Sequence, residues 1–220
     1  MKARSPTHTL AVLALVSFVM LLGVGIVVPM LPSYAQGLGA TATQIGLIFA
    51  SFSLSRTIFT PIIGALADRS ELKRLMIVGL AGYAFLSLAY AWADTPAQLI
   101  LIRLLHGMAS AFVIPLAMSY AATIAGEGQE GVYMGSLNSA LFFGMGAGPL
   151  IGGLLTDGFG PASAFYALAA LSCLALGLAV ILLPPLKRGR PPEDSGTLKG
   201  ILKSRSLVGL LLFRIISALG

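Results

Sequence analysis

Residues 61–68 read Pro61-Ile-Ile-Gly64-Ala-Leu66-Ala-Asp68, and residues 149–157 read Pro149-Leu-Ile-Gly152-Gly153-Leu-Leu155-Thr-Asp157. Both contain a proline, a glycine three positions later, and a closing Gly-x-Leu-x-Asp. Both close a long apolar run. A second pair, Val28-Pro29-Met30 and Ile114-Pro115-Leu116, recurs at nearly the same offset. The chain therefore holds a duplicated unit, and the surroundings of each copy decide what that unit is.

The surroundings are apolar. Of 220 residues, 57% are hydrophobic and 10% charged, with a mean hydropathy of +0.92. A soluble domain carries roughly 25% charged residues, because its outside must face water. Six apolar segments with at most one charge each run for about 20 residues, the length needed to cross a hydrocarbon core. They run over 10–31, 44–66, 75–92, 97–122, 132–155 and 162–183. Asp94-Thr95-Pro96 supplies a cap and a first-turn proline for the fourth, and Gly160-Pro161 is expected to do the same for the sixth. The first segment follows Lys2 and Arg4, as a secretory leader would, and Ser33-Tyr34-Ala35 offers a weak cleavage pattern. Its apolar run is about 22 residues against 7–15 for a leader, so a retained first helix is expected.

Lys and Arg set the orientation. Lys2 and Arg4 precede the first segment, Arg69, Lys73 and Arg74 join the second to the third, and Lys187, Arg188, Arg190, Lys199, Lys203 and Arg205 follow the sixth. The alternate loops, around 33–43, 93–96 and 156–161, hold none. Both ends of the six-segment unit are thus expected in the cytoplasm. The loop 126–131 carries only Glu127 and Glu130, but acids weigh little in this rule. With this topology the second segment ends inside and the fifth outside, so the repeat is three helices plus three, inverted. The expected division is a six-helix domain over 1–183, a Pro-rich charged cytoplasmic linker over 184–206, and a seventh apolar segment over 207–220. That last segment runs about 14 residues, too short to span, which suggests a helix cut in its middle.

The net charge of +6 does not indicate nucleic acid, since the cations sit at segment ends where topology needs them. Cys173 is the single cysteine and is expected to be a small packing residue; no disulfide or metal cluster is available. No phosphate-binding loop, Ser/His/Asp set or metal-ligand set is present, and no cofactor or enzymatic activity is expected.

The loop Gly64-Ala-Leu66-Ala-Asp68-Arg69, followed by Lys73 and Arg74, resembles the signature loop of the major facilitator superfamily, Gly-x-Leu-x-Asp-Arg-x-Gly-Arg-Lys/Arg. Glu71 and Leu72 depart from it. Gly144-Met-Gly146-Ala-Gly148-Pro149-Leu-Ile-Gly152-Gly153 resembles the family's antiporter motif, Gly-x-x-x-Gly-Pro-x-x-Gly-Gly. Small residues at four-residue spacing let a neighbouring helix approach, while the proline bends the helix and frees a carbonyl. Gly25-Ile-Val-Val-Pro29-Met-Leu-Pro32 looks like the first-helix motif of the twelve-helix drug/proton antiporters. The resemblance covers residues 10–183. It implies one six-helix half of a secondary transporter, built from two inverted three-helix repeats, with substrate near the midplane between two such halves. It also implies a cytoplasmic gate at Gly64, Asp68, Arg69, Lys73 and Arg74, and a packing face at Gly144, Gly148, Pro149, Gly152 and Gly153.

Arg56, Arg103 and Arg214 lie inside apolar runs, where a charge costs about 2.5–3.5 kcal/mol on insertion scales. Arg103 matches the family's intramembrane arginine and is implied to assist proton coupling. His106 is one turn on and shares its face, and a histidine titrates near neutrality; a hydrogen-bonded packing role is its plainer reading. Arg56 and Asn138 are candidates for contact with substrate, and snorkelling toward water is the plainer reading of Arg56. The acids, Asp68, Glu71, Asp94, Glu127, Glu130, Asp157, Glu193 and Asp194, all fall at segment ends or in loops. The expectation is proton-coupled efflux of small amphipathic molecules by alternating access, in a plasma membrane of bacterial inner-membrane type. The second six-helix half would come from the same full-length chain or from dimerisation. The alternative is a half-size membrane protein that does not transport alone and binds or regulates a partner.

Overall fold

In the computed structural model of the chain, residues 5–187 are described. They are all-helical: α1 (Pro6–Gly37), α2 (Ala42–Ala67), α3 (Leu72–Ala89), α4 (Pro96–Ser110), α5 (Ile114–Ile124), α6 (Glu130–Phe159) and α7 (Ala162–Leu182). A single 3₁₀ turn, Tyr90–Trp92, closes α3. Six spans among the described residues are long and apolar enough to cross a membrane, with α4 and α5 together making the fourth. The expected linker beyond Lys187, and the segment 207–220 with Arg214, lie outside the described residues.

Local chemistry sets the helix ends. Ser5 accepts a hydrogen bond from the His8 N–H, and Pro6 opens α1. Thr41 with Gln44, and Thr95 with Gln98, form reciprocal capping boxes at α2 and α4, each satisfying two otherwise unpaired N–H groups. Pro96 stands at the start of α4, as its place in the sequence predicts. The sixth span differs from expectation, because Pro161 occupies the cap position of α7 rather than its first turn. Gly160, at φ +81°, instead terminates α6, a conformation that glycine adopts without a Cβ clash.

The fourth span is not one helix. Pro115 has no N–H to continue the ladder, and the turn before it tightens to three-residue bonds: Phe112 N–H to Ala109 O and Val113 N–H to Ser110 O, both 3.2 Å. The corresponding Pro29, in α1, leaves its helix unbroken.

Packing follows the repeat. Corresponding partners are spans one and four, two and five (α6), and three and six (α7). α1 packs on α6 as the fourth span packs on α2; α1 packs on α7 as the fourth span packs on α3; and α3 packs on α7, a pair the symmetry maps onto itself. This is the inverted repeat expressed in contacts. At the end of the bundle where α1 and α3 close and α7 begins, Tyr90 and Phe165 stack with centroids 5.1 Å apart, and the Tyr34 ring meets Phe165 edge-on at 4.8 Å. The Tyr34 hydroxyl donates to the Tyr90 carbonyl at 3.2 Å. The faces of α2 and α6 that carry Leu54, Ile58, Ile62, Phe142, Phe143 and Leu150 are exposed.

Candidate functional site

α4 presents one face inward: Leu99, Arg103, His106, Gly107 and Ser110 are buried, the spacing of one helical stripe. Gly107 makes the face possible. A Cβ there would strike the Phe52 carbonyl oxygen of α2, so α2 and α4 touch backbone to backbone at this level.

That close approach surrounds Arg103 with rings. Its guanidinium carbon lies 5.1 Å from the Phe52 centroid, 5.5 Å from Phe49 and 5.8 Å from Tyr90. The side chain is 4% exposed, and neither Nε nor Nη2 has a hydrogen-bond partner. Cation–π contact offsets part of the desolvation of such a charge, and no described carboxylate accompanies it. His106 is 1% exposed. Its Nδ1 is 2.9 Å from the Tyr90 hydroxyl, its ring lies against Tyr83 at 3.8 Å between centroids, and Nε2 has no partner. The histidine is thus hydrogen-bonded on one side and unsatisfied on the other. Sequence reading found Arg103 and His106 but missed Tyr83 and Tyr90. Their seven-residue spacing on one face of the third span was the available signal.

Beside this cluster lies a cleft of about 170 Å³ where α1, α2, α3, α6 and the α4–α5 break converge. Met20, Val24, Phe52, Tyr83 and Met145 give it apolar walls, and Ser110, Val113 and Ile114 bring the break to its edge. Arg56 also lines it and is half-buried. Asn138 is exposed on α6 and does not line the cleft.

The glycine motif of α6 divides in two. Gly144, Gly148 and Gly152 are buried, and a Cβ on each would meet α1 backbone: Phe18 O at 2.5 Å, Gly25 C at 2.5 Å and Ile26 O at 2.7 Å respectively. Gly25 answers from α1, where a Cβ would come within 2.8 Å of the Met145 carbonyl oxygen. Pro149, lacking an N–H, is the residue that would have bonded that carbonyl. Gly146 and Gly153 have nothing within 4 Å of a built Cβ. They lie with Pro149 on the exposed face.

The residues of the loop between α2 and α3 also separate. Asp68 caps α2, its N–H donating to the Gly64 carbonyl at 3.3 Å. Arg69 is exposed, and Gly64 has open space where a Cβ would project. Glu71 pairs with Arg74 Nε at 3.1 Å. Lys73 reaches away from α2 and donates from Nζ to the carbonyls of Val180 (2.8 Å) and Leu183 (2.6 Å), capping α7. The chain leaving α7 is held there: Leu72 N–H donates to Leu186 O at 2.8 Å, Glu71 and Lys187 form an antiparallel bridge, and the Tyr120 hydroxyl donates to Pro184 O. Cys173, expected as a packing residue, faces outward from α7 instead.

The sequence profile described as Major Facilitator Superfamily matches residues 13–220. The chain belongs to the Major Facilitator Superfamily. It is 42% identical over 164 residues to an uncharacterized MFS-type transporter of Methanocaldococcus jannaschii, covering 74% of this chain and 42% of that one. It is 31% identical over 171 residues to the quinolone resistance protein NorA of Staphylococcus aureus, covering 78% of this chain and 44% of NorA. The chain thus spans less than half the length of these relatives. Among solved structures, the human organic anion transporter MFSD10 superposes with a TM-score of 0.72 at 20% identity, over 86% of this chain and 51% of that one. The POT family transporter PepTSo gives 0.66 at 18%, over 90% and 41%. These superpositions show the fold. A multi-pass membrane protein of a secondary-transporter family, and not an enzyme, follows from the profile and the relatives.

Proposed function

We propose that this six-helix unit is one half of a proton-coupled exporter of small amphipathic molecules that works by alternating access. The second half packs on the exposed faces of α2 and α6, either from the same full-length chain or from a second copy. Arg103 carries the reading: a buried guanidinium with two unpartnered nitrogens costs too much to keep for packing alone. Lying beside the cleft, it supplies charge that can respond when a proton or a substrate arrives. His106 shares that position, with one ring nitrogen held by Tyr90 and the other unpartnered. The coupling acid would belong to the second half, since the described acids lie at helix ends and in loops.

Alternating access needs rigid parts and breakable ones. The glycine seam between α1 and α6 makes a rigid part. Arg69 and the open side of Gly64, at the end of α2, offer surface for the other half, so Gly64, Asp68, Arg69, Lys73 and Arg74 form the cytoplasmic gate, with Lys73 tying the loop to the end of α7. The Lys and Arg distribution supports a topology with both ends of the unit in the cytoplasm, and a plasma membrane of bacterial inner-membrane type is the proposed location. The NorA relationship supports export of drug-like compounds.

The test is norfloxacin transport into everted membrane vesicles carrying the protein, with an imposed pH gradient. Accumulation is expected to collapse on addition of a protonophore and to fall at least tenfold in Arg103→Gln. Accumulation indifferent to the gradient would overturn proton coupling, and full activity in Arg103→Gln would remove that residue from the mechanism.

A further inference from the structure

The charge around the central cleft has one sign. Arg56 lines it, and among the described residues its guanidinium makes no hydrogen bond or ion pair. Phe52, also a lining residue, carries the buried Arg103 guanidinium at 5.1 Å from its ring. The break before α5 brings Val113 and Ile114 to the same cleft. The positive end of an 11-residue helix therefore lies at the edge of the cleft, within the bundle. Against these stand no described acids within the bundle: Asp68, Glu71, Asp94, Glu127, Glu130 and Asp157 occupy helix ends and loops. Apart from the hydroxyl-bearing Ser110 and Tyr83, the rest of the wall, including Met20, Val24 and Met145, is apolar.

We propose that the cleft takes amphipathic organic monoanions, with a carboxylate or sulfonate group on Arg56 and the apolar body against Met20, Val24, Phe52 and Met145. The inference rests on the transport reading for the passage of the substrate, but not for its charge. A guanidinium presents a planar fork of donors that matches a carboxylate with two parallel hydrogen bonds. In a water-poor cleft, an organic anion neutralises a charge that is otherwise left uncompensated. An organic cation would add like charge where dielectric screening is weakest. Arg103, enclosed by rings and not itself lining the cleft, contributes to the field without touching the ligand. Arg56 stands within α2, far from both helix ends, and its side chain lines the cleft.

Three ligands of one shape separate the charge classes: tritiated 1-naphthoate, 1-naphthamide and protonated 1-naphthylmethylamine, each measured for binding and for pH-gradient-driven accumulation in vesicles reconstituted with the full protein. Naphthoate is expected to bind at least tenfold more tightly than the other two. Arg56→Gln, checked by an unchanged gel-filtration profile, should lower naphthoate binding to the level of the amide, and Arg56→Lys should restore most of it. Equal or tighter binding of the amide or the amine to the unmodified protein would overturn the inference. Undiminished naphthoate binding by Arg56→Gln would do the same. Should Arg56→Gln fail to fold, the ranking of the three ligands by the unmodified protein decides the matter. Accumulation of amide or amine without preference for naphthoate removes the anion inference and leaves transport standing. Arg56-dependent naphthoate binding without accumulation of any ligand does the reverse.

Discussion

Adding one methyl group at Gly148 should loosen the unit, while the same addition five residues away should not. A Cβ at Gly148 would lie 2.5 Å from the Gly25 carbonyl carbon and 2.8 Å from the Ile26 nitrogen. Comfortable carbon contacts begin near 3.5 Å, so α1 and α6 would have to part by about 1 Å. Neither obstacle is a side chain that can rotate away; both are backbone within a continuous helix. Overpacking of this kind typically costs about 1–3 kcal/mol. For a chain of this size each kcal/mol lowers the melting temperature by about 2–4 °C, so Gly148→Ala should lose about 4–8 °C for a cost of about 2 kcal/mol. Gly153→Ala, with nothing within 4 Å of its Cβ, should melt within about 1 °C of the parent, near the small effect expected of surface substitutions. The assay is thermal unfolding of the purified proteins in one detergent, followed by the loss of the monodisperse peak on gel filtration. Gly148→Leu should go further and abolish transport while membrane insertion persists. Equal melting of Gly148→Ala and Gly153→Ala would refute the assignment of Gly148 to a backbone seam, as would unimpaired export by Gly148→Leu.

Lys73→Met should destabilise the end of α7, because it strips the hydrogen bonds to Val180 and Leu183. A charged donor bond is worth about 1.5–3 kcal/mol where buried and less here, at a partly exposed site; faster proteolysis just beyond residue 183 is the measurement. Tyr90→Phe removes the hydroxyl that lies 2.9 Å from His106 Nδ1, leaving both ring nitrogens unpartnered. A loss of about 1–3 kcal/mol, seen as a lower melting temperature, is expected, and an unchanged value would show that water or another group already serves His106.

The sixth-segment cap and the fourth span show how far local signals reach. Thr95-Pro96 started α4 where the pattern predicts, since a capping box needs only residues three apart. Pro115 was visible in the sequence as a repeat of Pro29, yet one proline interrupts its span and the other does not. Neighbouring helices decide whether a freed backbone group is tolerated, and they are not adjacent in the sequence. Cys173 illustrates the same gap: its apolar surroundings fit a packing residue, but in a membrane span the outward face is as apolar as the inward one.

The sequence by itself determined the six spans, their inverted three-plus-three repeat, the start of α4, and that Arg56 and Arg103 fall inside apolar spans rather than at their ends. These depend on composition and spacing along the chain, and the bilayer imposes a fixed length on each span. The tertiary structure decided which side of each helix meets which neighbour. It split one glycine motif into a seam on α1 and an open face, enclosed Arg103 in Phe49, Phe52 and Tyr90, put Arg56 on the wall of a cleft, and set Lys73 Nζ on the carbonyls at the end of α7. Lipid and protein interior are nearly equal as apolar surroundings, so hydropathy cannot give the rotation of a helix about its axis; only close packing against another helix fixes it.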